Sequence, residues 1–162
     1  AKNKEEKTNV MRVLEQKKIA YTAHTYPHEE GMAVDGVTVA KSMGFDPAIV
    51  FKTLVARGAS KQYYVFDVPV AENLDLKKAA KAVGEKSIEM IHQKELLPLT
   101  GYVHGGCSPV GMKKLFPTVF HSSAENLAAM IVSAGKIGYQ VELSPRDLAA
   151  LVRAKFADII VE

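Results

Sequence analysis

The chain has 162 residues, 48% apolar and 24% charged, which suits a single soluble domain spanning 1–162 with a sizeable core. Its 21 basic and 18 acidic residues leave a net charge of +3, too mild for a dedicated sequence-reading DNA binder but compatible with a tRNA end or a nucleotide. One cysteine excludes an internal disulfide. No charged-then-apolar leader and no apolar run of about 18 residues is present, so the expectation is a cytoplasmic protein with no membrane partner.

The charged N-terminal AKNKEEKT is expected to fray. Val10, Val13 and Leu14 then recur at helical spacing behind Thr8, a plausible N-cap, and this helix should stop near Lys17 or Lys18. IAYTAHTY alternates apolar and polar residues and reads as a strand over Ala20 to Thr25. Thr38 to Gly44 reads as a short helix stopped by glycine, and Asp46-Pro47 as the start of a turn. FKTLVA and QYYVFDVPV form a hairpin, Phe51–Ala56 with Gln62–Val68.

NLDLKKAAKAVG is a helix capped by Asn73 or Asp75 and ended by Gly84, with lysines along a face read as solvated. A brief strand near Ile88–Met90 and a short helix through Leu97 follow. PTVFHS is a strand, and AENLAAMIVSAG with KIGYQVEL leans to a hairpin. SPRDLAALVRA is a well-marked helix and FADIIV a closing strand. Strands and helices alternate without a regular β-α-β rhythm, so the fold class is α+β, a mixed or mainly antiparallel sheet packed by helices.

The stretch from Gly101 to Lys114, GYVHGGCSPVGMKK, carries the cysteine, four glycines and a Ser-Pro pair. Gly105-Gly106 lets a ligand approach the main chain closely, and Ser108 followed by Pro109 suits the N-cap and first residue of a short helix. Free amides at such a bend can bind a carbonyl oxygen, a carboxylate or a phosphate. The spacing is not that of a P-loop, and one Cys with scattered His gives no zinc pattern, so no metal and no cofactor is expected. Spacing alone favours a tight turn with Cys107 packed as a small hydrophobe over a nucleophile, because His104 is not obviously placed as its base.

Three segments in order, FKTLV with Lys52, GYVHGGCSPVGMKK and SAGKIGYQVELSPRDL, resemble the YbaK/EbsC family. These are aminoacyl-tRNA deacylases related to the editing domain of bacterial prolyl-tRNA synthetases. The likeness runs from Thr8 to Val161 and is nearest to the stand-alone type that acts on Cys-tRNA(Pro). It implies a partly closed, barrel-like mixed sheet surrounded by helices, a tRNA(Pro) 3′ end carrying cysteine as substrate, and prolyl-tRNA synthetase as partner.

The same resemblance implies the site. Lys52 would hold a phosphate or ribose-side oxygen of the terminal adenosine; otherwise it is a strand lysine with its head in solvent. Gly105, Gly106, Cys107, Ser108 and Pro109 match a loop whose amides, Gly106 and Cys107 above all, would stabilise the oxyanion, with Gly111 beside it. Tyr21 stands for a pocket tyrosine, against a half-buried strand aromatic. Asp147 stands for a functional aspartate, although Ser144-Pro145-Arg146-Asp147 also reads as a helix cap. The substrate thiol would be the nucleophile, leaving Cys107 to contribute backbone and shape. The alternatives are a deacylase for another small amino acid, such as alanine, using water; a non-catalytic module for tRNA ends or nucleotides; and a thiol enzyme using Cys107.

Overall fold

A computed structural model describes residues 7–162 of the chain. The expected fraying covered residues 1–8: residues 1–6 lie outside the described residues, while Lys7 pairs with Glu15 and Thr8 is buried as a helix cap, so the expectation fails at those two. Helix α1, Asn9–Gln16, starts where Thr8 accepts the Met11 amide, and it buries Val10, Met11 and Leu14. Each such side chain removed from water is worth about 1.5–3 kcal/mol. Strand β1, Thr22–Thr25, precedes α2, Gly36–Ser42, capped by Asp35, and a 3-10 turn over Pro47–Ile49 capped by Asp46.

The hairpin is β2, Phe51–Gly58, with β3, Tyr63–Pro69, paired from Phe51↔Pro69 to Arg57↔Tyr63. Helix α3, Leu76–Val83, has Asp75 accepting the amides of Lys77 and Lys78, and Gly84 ends it in the left-handed conformation. Lys78 does not lie free on a solvated face. Its Nζ binds Asp158, Glu162 and the Ile160 carbonyl, clamping the C-terminal segment.

Strand β4, Ile88–Met90, is followed by α4, Gln93–Thr100. The sequence reading stopped α4 at Leu97, before Pro98. The helix runs on until Gly101, at φ 90°, closes it, while Thr100 Oγ1 donates to the Leu96 carbonyl.

Strand β5, Thr118–His121, a 3-10 turn, β6, Met130–Ser133, and β7, Tyr139–Leu143, come next, with β6 and β7 in the expected hairpin. Helix α5, Pro145–Val152, and β8, Lys155–Ala157, complete the chain. The closing strand is shorter than FADIIV suggested. Beyond Ala157 the chain leaves β5 and follows residues 73–75 instead, with Asp75 N donating to Ile159 O and Val161 N to Asn73 O.

Two sheets result, antiparallel β1-β7-β6 and mixed β4-β2-β3-β5-β8. A parallel bridge, Val50 to Ile131, joins them at one corner, so the wall is partly closed and not sealed into a barrel. The main core fills the space between them, with Phe51, Val55, Val65 and Phe120 from one sheet facing Met130, Val132 and Val141 from the other. A second cluster packs α3 on the opposite face of the larger sheet through Ala79, Ala80, Phe66 and Val68. Among the described residues no helix is long and apolar enough to cross a membrane.

Candidate active site

The corner where the sheets meet opens into a cavity of about 360 Å³, at the small end of ligand-site volumes. One wall is the start of β2, from Phe51 to Leu54. The facing wall is the segment before α2, Ala33 to Asp35. His104, Gly105 and Cys107 enter from the 101–117 loop, Ser133 and Gln140 from β6 and β7, and Tyr26 from the end of β1.

The loop does not form the short helix expected at Ser108. It stays irregular through residue 117. Ser108 Oγ accepts the Val110 amide in a local turn, the Tyr102 hydroxyl donates to the Val110 carbonyl, and Gly111 sits at φ 78°. With that carbonyl engaged and a left-handed residue next, a helix cannot propagate.

Gly105 has φ 91°, and a Cβ there would stand 2.7 Å from the Ala33 Cβ. Only glycine lets the loop reach the facing wall in this way. Gly106 is buried against the Lys136–Ile137 backbone, and its amide donates to the Val103 carbonyl at 2.9 Å. That amide is engaged, contrary to the sequence reading. Among the described residues the amides of Gly105, Cys107 and Ser108 donate to no protein acceptor.

Of the residues singled out in the sequence, Lys52, Gly105 and Cys107 share the cavity. Gly106, Ser108 and Pro109 are buried just behind it. Gly111 lies beside Asn9 and Tyr102, away from the lining. Tyr21 does not line it: its hydroxyl donates to Glu15 at 2.6 Å. Asp147 is exposed in the first turn of α5, its amide bound to Ser144 Oγ.

The sequence reading missed Tyr26 and Gln140, which do line the cavity. Tyr26 was five residues beyond Tyr21, one residue past the end of the strand it chose. Gln140 was a polar residue inside an apolar strand, and its pairing with Ser133 across β6–β7 places the two side chains on one face. Among the described residues Gln140 Oε1 is buried with no protein partner, an unused acceptor beside the cavity.

The electrostatics divide the site in two. Burial lowers the Lys52 ammonium from its ordinary range, while Asp35 and Glu72 pull it back up. Burial, helped by the negative charge of Asp67, pushes the Cys107 thiol up to about 12. Burial also raises the Tyr26 phenol. Asp67, the cross-strand partner of Thr53, has no exposure and is pushed up to about 7 by burial.

A sequence model of the aminoacyl-tRNA editing domain matches residues 28–151. The chain belongs to that family. Its function is therefore aminoacyl-tRNA editing, the cleavage of an aminoacyl ester. The chain is 44% identical over 158 residues to an Enterococcus faecalis (strain ATCC 700802 / V583) protein named "Putative Cys-tRNA(Pro)/Cys-tRNA(Cys) deacylase EbsC", covering 98% of this chain and 96% of that one. The fold is shared with a crystal structure described as "a putative trans-editing enzyme for prolyl tRNA synthetase", at TM-score 0.79 and 24% identity over 94% of this chain and 95% of the other. A protein described as hypothetical matches at TM-score 0.83 and 20% identity, over 94% of this chain and 99% of that one.

Proposed function

We propose that this editing protein removes cysteine from mischarged Cys-tRNA(Pro), with the substrate's own thiol as the nucleophile. The observation that carries the reading is the state of Cys107. A cysteine attacks as its thiolate, and a thiol pushed up to about 12 keeps its proton at physiological pH. The attacking atom then comes from the substrate or from water. Near-full-length likeness to a relative named for Cys-tRNA(Pro) and Cys-tRNA(Cys) favours the cysteine side chain.

In this reading the ester carbonyl lies against the open amides of the two lining residues, Gly105 and Cys107, which stabilise the oxyanion as it forms, with buried Ser108 behind them. Buried Pro109 and Gly106 hold that bend in shape, with Gly111 ending the turn. Gln140 Oε1 accepts from the substrate α-ammonium. Lys52, at the cavity edge, pairs with a terminal phosphate or ribose oxygen. Tyr26 takes the substrate-facing place first assigned to Tyr21.

The substrate sulfur attacks the carbonyl carbon. A C–S bond forms, the C–O bond to the ribose 3′ oxygen breaks, and in net balance the thiol proton ends on that oxygen. Intramolecular attack profits from a high effective concentration. With a net charge of +3 the contribution of phosphate contacts is small, so selection of tRNA(Pro) falls to a complex with prolyl-tRNA synthetase.

The test uses tRNA(Pro) charged separately with cysteine, serine, alanine and proline. Rapid loss of cysteine with little loss of serine supports attack by the substrate thiol. Equal loss of alanine and cysteine means attack by water, and no turnover on any of them means a binding module.

A further inference from the structure

We infer that Thr53 and Asp67 form a proton relay beneath the cavity: Thr53 touches the substrate thiol, and Asp67, acting through it as a positioning residue, takes up the proton. The inference rests on the substrate-thiol reading above.

Thr53 and Asp67 face each other directly in the β2–β3 ladder, so their side chains share one face of the sheet. Thr53 lines the cavity. Its Oγ1 donates to Asp67 Oδ1 at 2.5 Å. A hydroxyl has one proton to give and two lone pairs to receive with. Because the proton is committed to Asp67, the side of Thr53 towards the cavity is an acceptor, matched to an S–H donor.

Asp67 is fully buried, and among the described residues its Oδ2 has no partner. A buried carboxyl with half its acceptors unused is costly, and no contact in the fold accounts for it. The groups facing it are Thr53 from β2, Phe120 from β5 and Cys107 from the 101–117 loop. Of these, only Cys107 titrates, and its thiol stays protonated. Lys52 alternates to the opposite face of β2 and interacts electrostatically with Asp35 and Glu72. Among the described residues no cation therefore holds Asp67 in its charged form. Burial sets the carboxyl at about 7, close to the working pH where a base is most effective and below a free thiol at about 8.5.

The step balances. The thiol proton passes to Thr53 Oγ1 as the Thr53 proton passes to Asp67 Oδ1. The resulting thiolate attacks the carbonyl carbon, and the ribose 3′ oxygen leaves with its bonding pair and takes a proton from water. Asp67 returns its proton through Thr53 to the hydroxide so formed.

Single-turnover deacylation of Cys-tRNA(Pro) from about pH 5.5 to 8.5 tests the relay, using wild type, Asp67→Asn, Thr53→Val and Thr53→Ser. The wild-type rate should rise with pH and level off above about 7. Asp67→Asn and Thr53→Val should be on the order of a hundredfold slower at neutral pH, with the rise displaced towards the ionisation of the thiol itself. Thr53→Ser should keep the wild-type profile. Asp67→Asn with an unchanged rate and pH profile, or Thr53→Val as active as Thr53→Ser, overturns the relay alone. Thermal melts confirm that each variant is folded. A wild-type protein that spares Cys-tRNA(Pro) overturns the cysteine reading itself, and the relay with it.

Discussion

Replacing Asp67 by asparagine should remove a loss of stability that the wild type suffers as the pH rises. Burial lifts the carboxyl from the ordinary 3.8 to about 7, so the folded state binds this proton more tightly than the unfolded chain does. The associated stability is complete below about pH 4 and is lost as the pH rises through about 7. Three pKa units at about 1.4 kcal/mol each give a full penalty on the order of 4 kcal/mol. Between pH 5 and pH 8 the penalty grows by roughly 3 kcal/mol. For a chain of this length that corresponds to a difference in melting temperature of roughly 6–12 °C. Asparagine keeps an oxygen to accept the Thr53 hydroxyl and never ionises. Melting curves of both proteins at pH 5 and pH 8 are the assay. The wild type should lose stability over this interval relative to the variant. Parallel pH dependences would refute the claim that Asp67 is an uncompensated buried carboxyl.

Cys107→Ala should deacylate Cys-tRNA(Pro) within a few-fold of wild type, and iodoacetamide should label the native thiol slowly, because the sulfur is buried and protonated; loss of activity in a folded variant would make it a nucleophile. Gly105→Ala should cost at least about 1–2 kcal/mol from its left-handed backbone alone, with the Cβ driven against Ala33 as well, and should slow turnover by opening the gap between loop and wall; a urea melt with a deacylation assay reads both. Gln140→Leu should raise KM and lower kcat/KM at least tenfold, whereas Tyr21→Phe and Asp147→Asn should change kcat/KM less than twofold. The reverse order would restore the residues first chosen from sequence.

Helix starts were legible because capping is local. Thr8, Asp75 and Ser144 each bond an amide two or three residues on, and that spacing can be read directly. The β2–β3 and β6–β7 hairpins were legible from alternation and turn residues. Lys52 was singled out through the family resemblance, its place in an apolar run only adding interest, whereas the Gly105–Cys107 bend stood out because a glycine pair shortly before a Ser-Pro is unusual in itself. The site's other polar members were not legible. Tyr21 and Tyr26 stand in one strand-like run, and nothing local says which one turns into the cavity. Asp147 came from the family resemblance, and Gln140 was not singled out, because nothing in YQVEL marks it locally.

The sequence by itself determined the element types outside the 101–117 loop and the bend at Gly105, which depend on neighbours within a few residues, and, with a single cysteine, the absence of an internal disulfide. Tertiary structure decided which amides remain open, how deeply Cys107 and Asp67 are buried, and that Thr53 stands between Asp67 and the cavity. Those properties arise from cross-strand register and from a loop lying against a distant wall. Burial sets the protonation of a thiol or carboxyl through the surrounding dielectric and charge, and no spacing along the chain encodes that.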